Sequence, residues 1–310
     1  VGPAAAASAK DYPDKAVSLI SLSAPGSGFD TTIRAIAATL AKEKLVPPHV
    51  ALPVINMGGS AQGTMTVATK YKNDAYSISV NSIAGMMNYA TGMSPFSHKD
   101  FVPLAILISG YYGVFVRADS PYKTLAQLLS DLKTNPGGTP LSGGRSDDRV
   151  CYGALFMKAG VDVTKVNYAA FAGGTEAAPV VLEGSAKAEI TTVDDIMGLV
   201  EAKQLRPLAV SSGKRLSGVF KDTPTFQEAG VDLVWENFRY AFGPSGYPDY
   251  AKKYWIGVLA KMVKTPTWQE MLKKYRWGDT FMTEGLDKYL DEKQALITDV
   301  MTRLGMAKKK

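Results

Sequence analysis

The stretch that decides the fold is Val17-Ser18-Leu19-Ile20-Ser21-Leu22-Ser23-Ala24-Pro25-Gly26-Ser27-Gly28-Phe29-Asp30-Thr31. Its first seven residues are β-prone, residues 25–28 break the chain, and Ile33, Ile36, Ala37 and Leu40 then recur at helical spacing. Strand, glycine-containing turn and helix together form the unit from which α/β sheets are assembled. In open α/β sheets, ligands bind at such turns, outside the carboxyl ends of the strands. The helix that follows offers unpaired N–H donors and a dipole suited to an anion. Ser27 and Thr31 add hydroxyls, and Gly26 and Gly28 leave room for close approach. One such turn is more often only a turn, so its weight depends on what the rest of the chain repeats.

Outward from it, the grammar recurs. Residues 50–55 and 77–81 predict two further strands with a helix between them at about 62–70. Residues 102–108 and 113–117 read as separate strands, split by Ser109-Gly110, that cross out of a first lobe. Thr124 caps a helix whose Leu125, Leu128, Leu129 and Leu132 share a face. In a second lobe, strand 141–144 ends in a polar turn before a helix through Val150, Ala154 and Leu155. Strand 165–170 ends in Phe171-Ala172-Gly173-Gly174, with Thr175 as a cap. Strand 188–192 precedes Asp194 and Asp195, either able to cap a helix, and 207–212 is a fourth strand. The chain returns through 237–244 to three helices, marked by Val258, Leu259 and Met262, by Trp268, Met271 and Leu272 behind Thr265-Pro266, and by Ile297, Val300, Met301 and Leu304. Gly305 stops the last of them. The expected organisation is α/β with mostly parallel sheets: 11–113 with 240–310 as lobe 1, 114–239 as lobe 2, and 1–10 as a tail left by cloning or by a cleaved leader.

Composition agrees with this and excludes several alternatives. A chain of 310 residues, 46% hydrophobic and 21% charged, is long enough for two globular domains. No run approaches the ~18 consecutive apolar residues of a membrane span. The net charge of +6 is mildly basic, and its basic residues do not interleave with aromatics as a nucleic-acid surface would require. Cys151 is the single cysteine, so no intrachain disulfide forms. Position 31 is Thr where a dinucleotide fingerprint needs its third Gly, and Gly213-Lys214 lacks the upstream Gly of a P-loop. His49 and His98 are the only histidines, both in loop-like contexts, and no G-x-S-x-G elbow is present. No cofactor, metal or catalytic role is expected.

At its turns the chain resembles the receptors of tripartite tricarboxylate transporters, the Bug family. The resemblance is carried by Ala24-Pro25-Gly26-Ser27-Gly28-Phe29-Asp30 with Arg34, and by Asn56-Met57-Gly58-Gly59-Ser60-Ala61-Gln62-Gly63. It continues through Asn167-Tyr168, Gly173-Gly174 and Gly184. Its nearest match is Leu205-Arg206-Pro207-Leu208-Ala209-Val210, Lys214-Arg215 and Pro224-Thr225-Phe226-Gln227-Glu228-Ala229-Gly230. The order and spacing of these elements, over about 12–304, is what is specific. The resemblance implies a type II periplasmic binding protein: two α/β lobes, two crossover strands and a cleft that closes on ligand. It implies a periplasmic, monomeric protein, its signal peptide removed, that captures a di- or tricarboxylate and delivers it to a tripartite transporter without catalysis. Two departures touch ligand identity. Ser27 stands where the family's loop has Gly, and the second-lobe turn Gly143-Gly144-Arg145-Ser146-Asp147-Asp148-Arg149 carries two arginines.

The candidate ligand-binding residues are Ser27, Gly28, Phe29, Asp30, Asn81 and Ser82 in the first lobe. In the second they are Arg145, Ser146, Phe171, Ala172, Gly173 and Asp195. One carboxylate is expected on the backbone N–H groups near residues 27–30, with Ser82 as a donor and Asp30 as a cap or water anchor of the turn. Arg145 either pairs a distal carboxylate or stays in solvent beside Asp147 or Asp148. Phe29 and Phe171 either flank an aromatic or aliphatic ligand body or belong to the core. Asp195 either accepts from a ligand or caps a helix. A ligand sensor for a signalling partner would use the same residues, and a hydrolase on this scaffold would need a nucleophile–base pair from Cys151 or His98.

Overall fold

A computed structural model describes residues 11–144 and 146–308. The segment 1–10, read above as a tail, lies outside the described residues. The chain opens with β1 (Ser18–Ser21), α1 (Gly28–Lys42), β2 (Val54–Asn56), α2 (Ser60–Lys70), β3 (Ser77–Ser82), α3 (Ile83–Thr91) and β4 (Val102–Arg117). It continues with α4 (Leu125–Thr134), β5 (Leu141–Gly144), α5 (Asp147–Lys158), β6 (Tyr168–Phe171), α6 (Gly174–Leu182), β7 (Ala188–Thr192), α7 (Met197–Glu201) and β8 (Leu205–Val210). It ends with β9 (Glu236–Gly243), α8 (Asp249–Met262), α9 (Pro266–Tyr275), β10 (Gly278–Met282) and α10 (Leu286–Arg303).

Two compact units result. Unit one runs through Ser109 and resumes over Phe238–Gln294; unit two is Gly110–Asn237 with Ala295 onward. The chain therefore changes unit inside β4, inside β9 and inside α10, whereas the sequence reading gave all of α10 to the first lobe. Packing explains the end of α10: Val300 and Leu304 lie so close to Gly153 of α5 that a Cβ there would stand 2.6 Å from Val300 Cγ1.

In unit one β1 sits between β2 and β3, parallel to both, with Leu19 opposite Val54 and Ile78. β9 runs antiparallel to β3. The α1 face predicted from spacing is buried at Ile33, Ile36 and Leu40, each contributing about 1.5–3 kcal/mol. Helix α2 approaches the chain beyond β1 so closely that a Cβ at Gly63 would lie 2.5 Å from the Leu22 carbonyl. In unit two β5 is flanked in parallel by β6 and β7, with Leu141 opposite Tyr168 and Ala188. β7 and β8 both pair antiparallel with the second half of β4.

Three expectations change, and one helix appears that the sequence reading did not place. β4 is one strand of 16 residues rather than two. Ser109 stays in the ladder because it pairs with Gly278 of β10, and its hydroxyl bonds that of Thr280 at 2.9 Å. Helix α3 follows β3 with no intervening turn, since Ser82 ends the strand and also caps the helix by accepting from the Ala84 amide. Thr175 is inside α6, whose N-cap is Gly173, and α7 starts after Ile196, so neither Asp194 nor Asp195 caps it.

Candidate functional site

Unit one builds its turn around a buried acid. Asp30, 3% exposed, accepts the Gly26 amide at 2.8 Å, Arg34 Nε at 2.9 Å and Asn56 Nδ2 at 2.8 Å. Asn56 also donates to the Ser23 carbonyl, so the strand ends of β1 and β2 are tied to the first turn of α1. Burial works to raise the Asp30 pKa, but the bonds from Arg34, Asn56 and Gly26 outweigh it and hold the group below its ordinary value. Asp30 is thus an ionised anchor of the turn, its oxygens engaged within it.

Two hydroxyls are left with something to give. Ser27 Oγ accepts the Asp30 amide at 3.2 Å, and Ser82 Oγ accepts that of Ala84 at 3.1 Å. A hydroxyl that accepts from its own helix keeps its hydrogen for another acceptor. Asn81 is buried beneath: its Oδ1 takes the Ser82 amide at 2.9 Å, and its amide fills the place where a Gly85 Cβ would stand. Phe29 is buried in the core at 9% exposure. Gly28 begins α1, and the space a side chain would take is filled by Arg239, whose Nη2 lies 2.4 Å from an ideal Cβ position.

Unit two repeats the device with different electrostatics. The Gly144 amide donates to Asp148 at 2.8 Å and the Ala172 amide to Glu176 at 3.2 Å, each across the spacing that joins Gly26 to Asp30. Among the described residues no arginine or asparagine is bonded to Asp148 as to Asp30, and its other donor is Thr191 Oγ1 at 3.0 Å. Thr191 also lies 3.4 Å from Asp195 Oδ2, and one hydroxyl hydrogen cannot serve both carboxylates. Burial, then the neighbouring charge of Asp147, pushes the Asp148 pKa up to about 7. Asp147 is itself bonded by Tyr112, Asn237 and Ser146, at 2.6, 3.1 and 2.8 Å.

Two residues before Thr191, on the same face of β7, is Glu189, fully buried. Among the described residues neither of its carboxylate oxygens has a hydrogen-bond partner. Burial, then the charges of Asp148 and Asp195, pushes its pKa up to about 8. Unit two therefore holds two buried acids that keep their protons well above the ordinary carboxylate range.

Of the other expected residues in unit two, Ser146 and Ala172 are exposed, Phe171 is half-buried at the end of β6, and Gly173 caps α6. Asp195 lies in the turn after β7. Arg145 lies outside the described residues. The hydrolase reading finds little chemistry: Cys151 is fully buried inside α5, and buried His98 is paired with Asp291 at 2.8 Å. Among the described residues no three His, Cys, Asp or Glu side chains are placed to hold a metal ion, and no helix is long and apolar enough to cross a membrane. Sequence reasoning missed Arg239 and Glu189. Arg239 sits in the predicted return strand, where a lone cation between aromatics gives no motif. Glu189 is the one acid in an otherwise small and β-branched strand, a departure from pattern that could have drawn notice.

Residues 34–305 match the profile of the tripartite tricarboxylate transporter family receptor. A protein of Cupriavidus necator, described as a UPF0065 protein in the gbd 5' region, is 26% identical over 98% of this chain and 92% of its own length. A TctC solute binding protein from Polaromonas superposes with a TM-score of 0.84 at 25% identity, covering 94% of this chain and all of that one. Two Rhodopseudomonas palustris structures share the fold at lower identity. MatC with bound malate has a TM-score of 0.64 at 19% identity, covering 93% of this chain and 99% of its own. A protein with adipate has a TM-score of 0.67 at 20% identity, covering 96% and 100%.

Proposed function

The chain belongs to the tripartite tricarboxylate transporter family of receptors, and on that premise we propose that it captures a small organic carboxylate outside the cytoplasm and passes it to a membrane transporter of the tripartite class. The family is one of periplasmic solute-binding proteins with a two-lobed α/β fold, and its receptors bind rather than transform their ligands.

The observation that carries the ligand class is the pair of helix heads that Ser27 and Ser82 cap, those of α1 and α3. There the acid of the turn is already satisfied by Gly26, Arg34 and Asn56, while Ser27 and Ser82 each keep a hydroxyl hydrogen beside a helix N-terminus. Such a place takes an acceptor carrying negative charge, because the charge of Asp30 is paired with Arg34. Charge-assisted hydrogen bonds contribute about 1.5–3 kcal/mol each, so three supply much of the roughly 8 kcal/mol of a micromolar affinity. The fold relatives with malate and adipate support an aliphatic acid of this size. In this reading Gly28, Phe29, Asp30 and Asn81 shape and stiffen the turn. In unit two the Ser146, Phe171, Ala172, Gly173 and Asp195 turns, with Arg145, distinguish one acid from another. The receptor works as a monomer in the periplasm.

A thermal-shift screen against mono-, di- and tricarboxylates, aliphatic and aromatic, tests the proposal. Binding to the folded state raises the melting temperature by mass action. A rise with at least one acid and none with the matching amides is expected; no rise with any carboxylate overturns it.

A further inference from the structure

Residues 261–276 of unit one, from the last turn of α8 to the residue after α9, hold Lys261, Lys264, Lys273, Lys274 and Arg276 against a single acid, Glu270. All five cations are exposed, and among the described residues none of them makes an ion pair. Glu270 is turned to a further cation, Lys42 at the end of α1, at 3.8 Å. The other acids close by are engaged as well. Glu43 accepts the amide and hydroxyl of Thr267 at the head of α9, and Asp279 accepts Gln269 Nε2 at 3.3 Å. Helix dipoles favour Lys261, Lys273 and Lys274, each in a last turn, but they leave the charge of the group uncompensated.

The surface beside these cations is apolar. Helix α1 turns Lys42 and Glu43 to α9, and it turns Ala37, Ala38 and Ala41 to a trough of about 740 Å³ closed by the proline-containing loop 46–52. Lys44 lies on the lining of that trough. At the far end of α9 the half-buried rings of Tyr275 and Trp277 stack at 4.7 Å, with Lys274 Nζ 4.9 Å from the centre of Tyr275. Interfaces between proteins enrich arginine and deplete lysine. Here four of the five cations are lysines, compact charges on long stems that suit a diffuse anionic field. Lysines with tyrosine and tryptophan beside an apolar surface match a bilayer with anionic headgroups, where each cation strengthens association about fivefold.

We propose that the α1–α9 face of unit one docks on an anionic lipid bilayer, its lysines among the headgroups and its alanine trough against their apolar boundary. The inference goes beyond ligand capture and does not depend on which acid is bound. For a receptor that serves a membrane transporter, such docking turns a search through solution into a search along a surface.

The test is co-sedimentation of the full chain with vesicles of phosphatidylglycerol and phosphatidylcholine in equal parts, and with vesicles of phosphatidylcholine alone. Wild type is expected to bind the anionic vesicles and not the neutral ones, more weakly as salt rises. A variant carrying Lys261→Gln, Lys264→Gln, Lys273→Gln and Lys274→Gln should lose about a hundredfold or more. A control carrying Lys133→Gln, Lys158→Gln, Lys187→Gln and Lys221→Gln removes as much charge from exposed positions of unit two, and it should lose less than about fivefold. Both variants should melt as wild type does and keep its affinity for carboxylates.

No binding of wild type to the anionic vesicles at low salt overturns the inference, assigns the cations to an acidic protein instead, and leaves the carboxylate reading standing. An equal loss in the two variants also overturns it, because net charge alone would then explain the binding. Should the α8–α9 variant not fold, the pair Lys273→Gln and Lys274→Gln decides, and vesicle binding within about twofold of wild type overturns the inference.

Discussion

The Gly144 amide donates to the Asp148 carboxylate at 2.8 Å, the length and spacing of the bond from Gly26 to Asp30. The two turns are built alike and charged differently. Asp30 is surrounded by donors and kept ionised, whereas Asp148 shares its pocket with other acids and holds its proton to about pH 7. One unit therefore presents donors at its turn, and the other keeps a reservoir of protonated acid behind its own.

The acids of unit two make stability depend on pH. Asp148 rises from 3.8 to about 7 and Glu189 from 4.5 to about 8, so the folded chain holds protons that the unfolded chain releases. Their contribution is complete below pH 4 and is lost as the pH climbs through 7 and 8. Glu189→Gln should flatten that decline and leave the variant about 1–3 kcal/mol more stable than wild type at pH 9. Urea unfolding at pH 5, 7 and 9 reads this; parallel curves for the two proteins would contradict it.

Asp30 behaves in the opposite sense. Its pKa lies below 3.8 in the fold, so its contribution is present above that value and disappears as the pH falls through the folded pKa. Asp30→Asn removes the charge that Arg34 and Asn56 address and should cost about 1–2 kcal/mol at pH 7, with the difference from wild type shrinking toward pH 2. A variant as stable as wild type at neutral pH would show that the network adds nothing.

Gly63→Ala tests the packing of α2. The added methyl would meet Leu22 backbone atoms at 2.5 and 2.8 Å, and backbone cannot swing aside as a side chain can. A loss of about 1–3 kcal/mol is expected, although alanine is the better helix former. A gain in melting temperature would show that the helix shifts freely.

Much of this was legible before the structure. The turn after β1, the parallel triplets, the Thr124 and Thr265 caps and the apolar faces of α1 and α10 are all set by local periodicity and turn chemistry. What was missed depends on partners distant in the chain. Ser109-Gly110 looked like a break because small polar residues usually end strands, yet pairing to β10 keeps them extended. Asp194 and Asp195 looked like caps, but the helix starts later, at Met197. Arg239 is more than 200 residues from Gly28, and only the β3–β9 register brings them together.

The central claim is that the unit-one turn holds an ionised acid group. The most direct measurement is the calorimetric affinity of Ser27→Ala, Ser82→Ala and the double variant for the acid that most raises the wild-type melting temperature. Each single change removes one hydroxyl donor and should weaken binding about tenfold, the double change more, with the ligand-free proteins still folded. Affinity unchanged in all three variants would contradict the account.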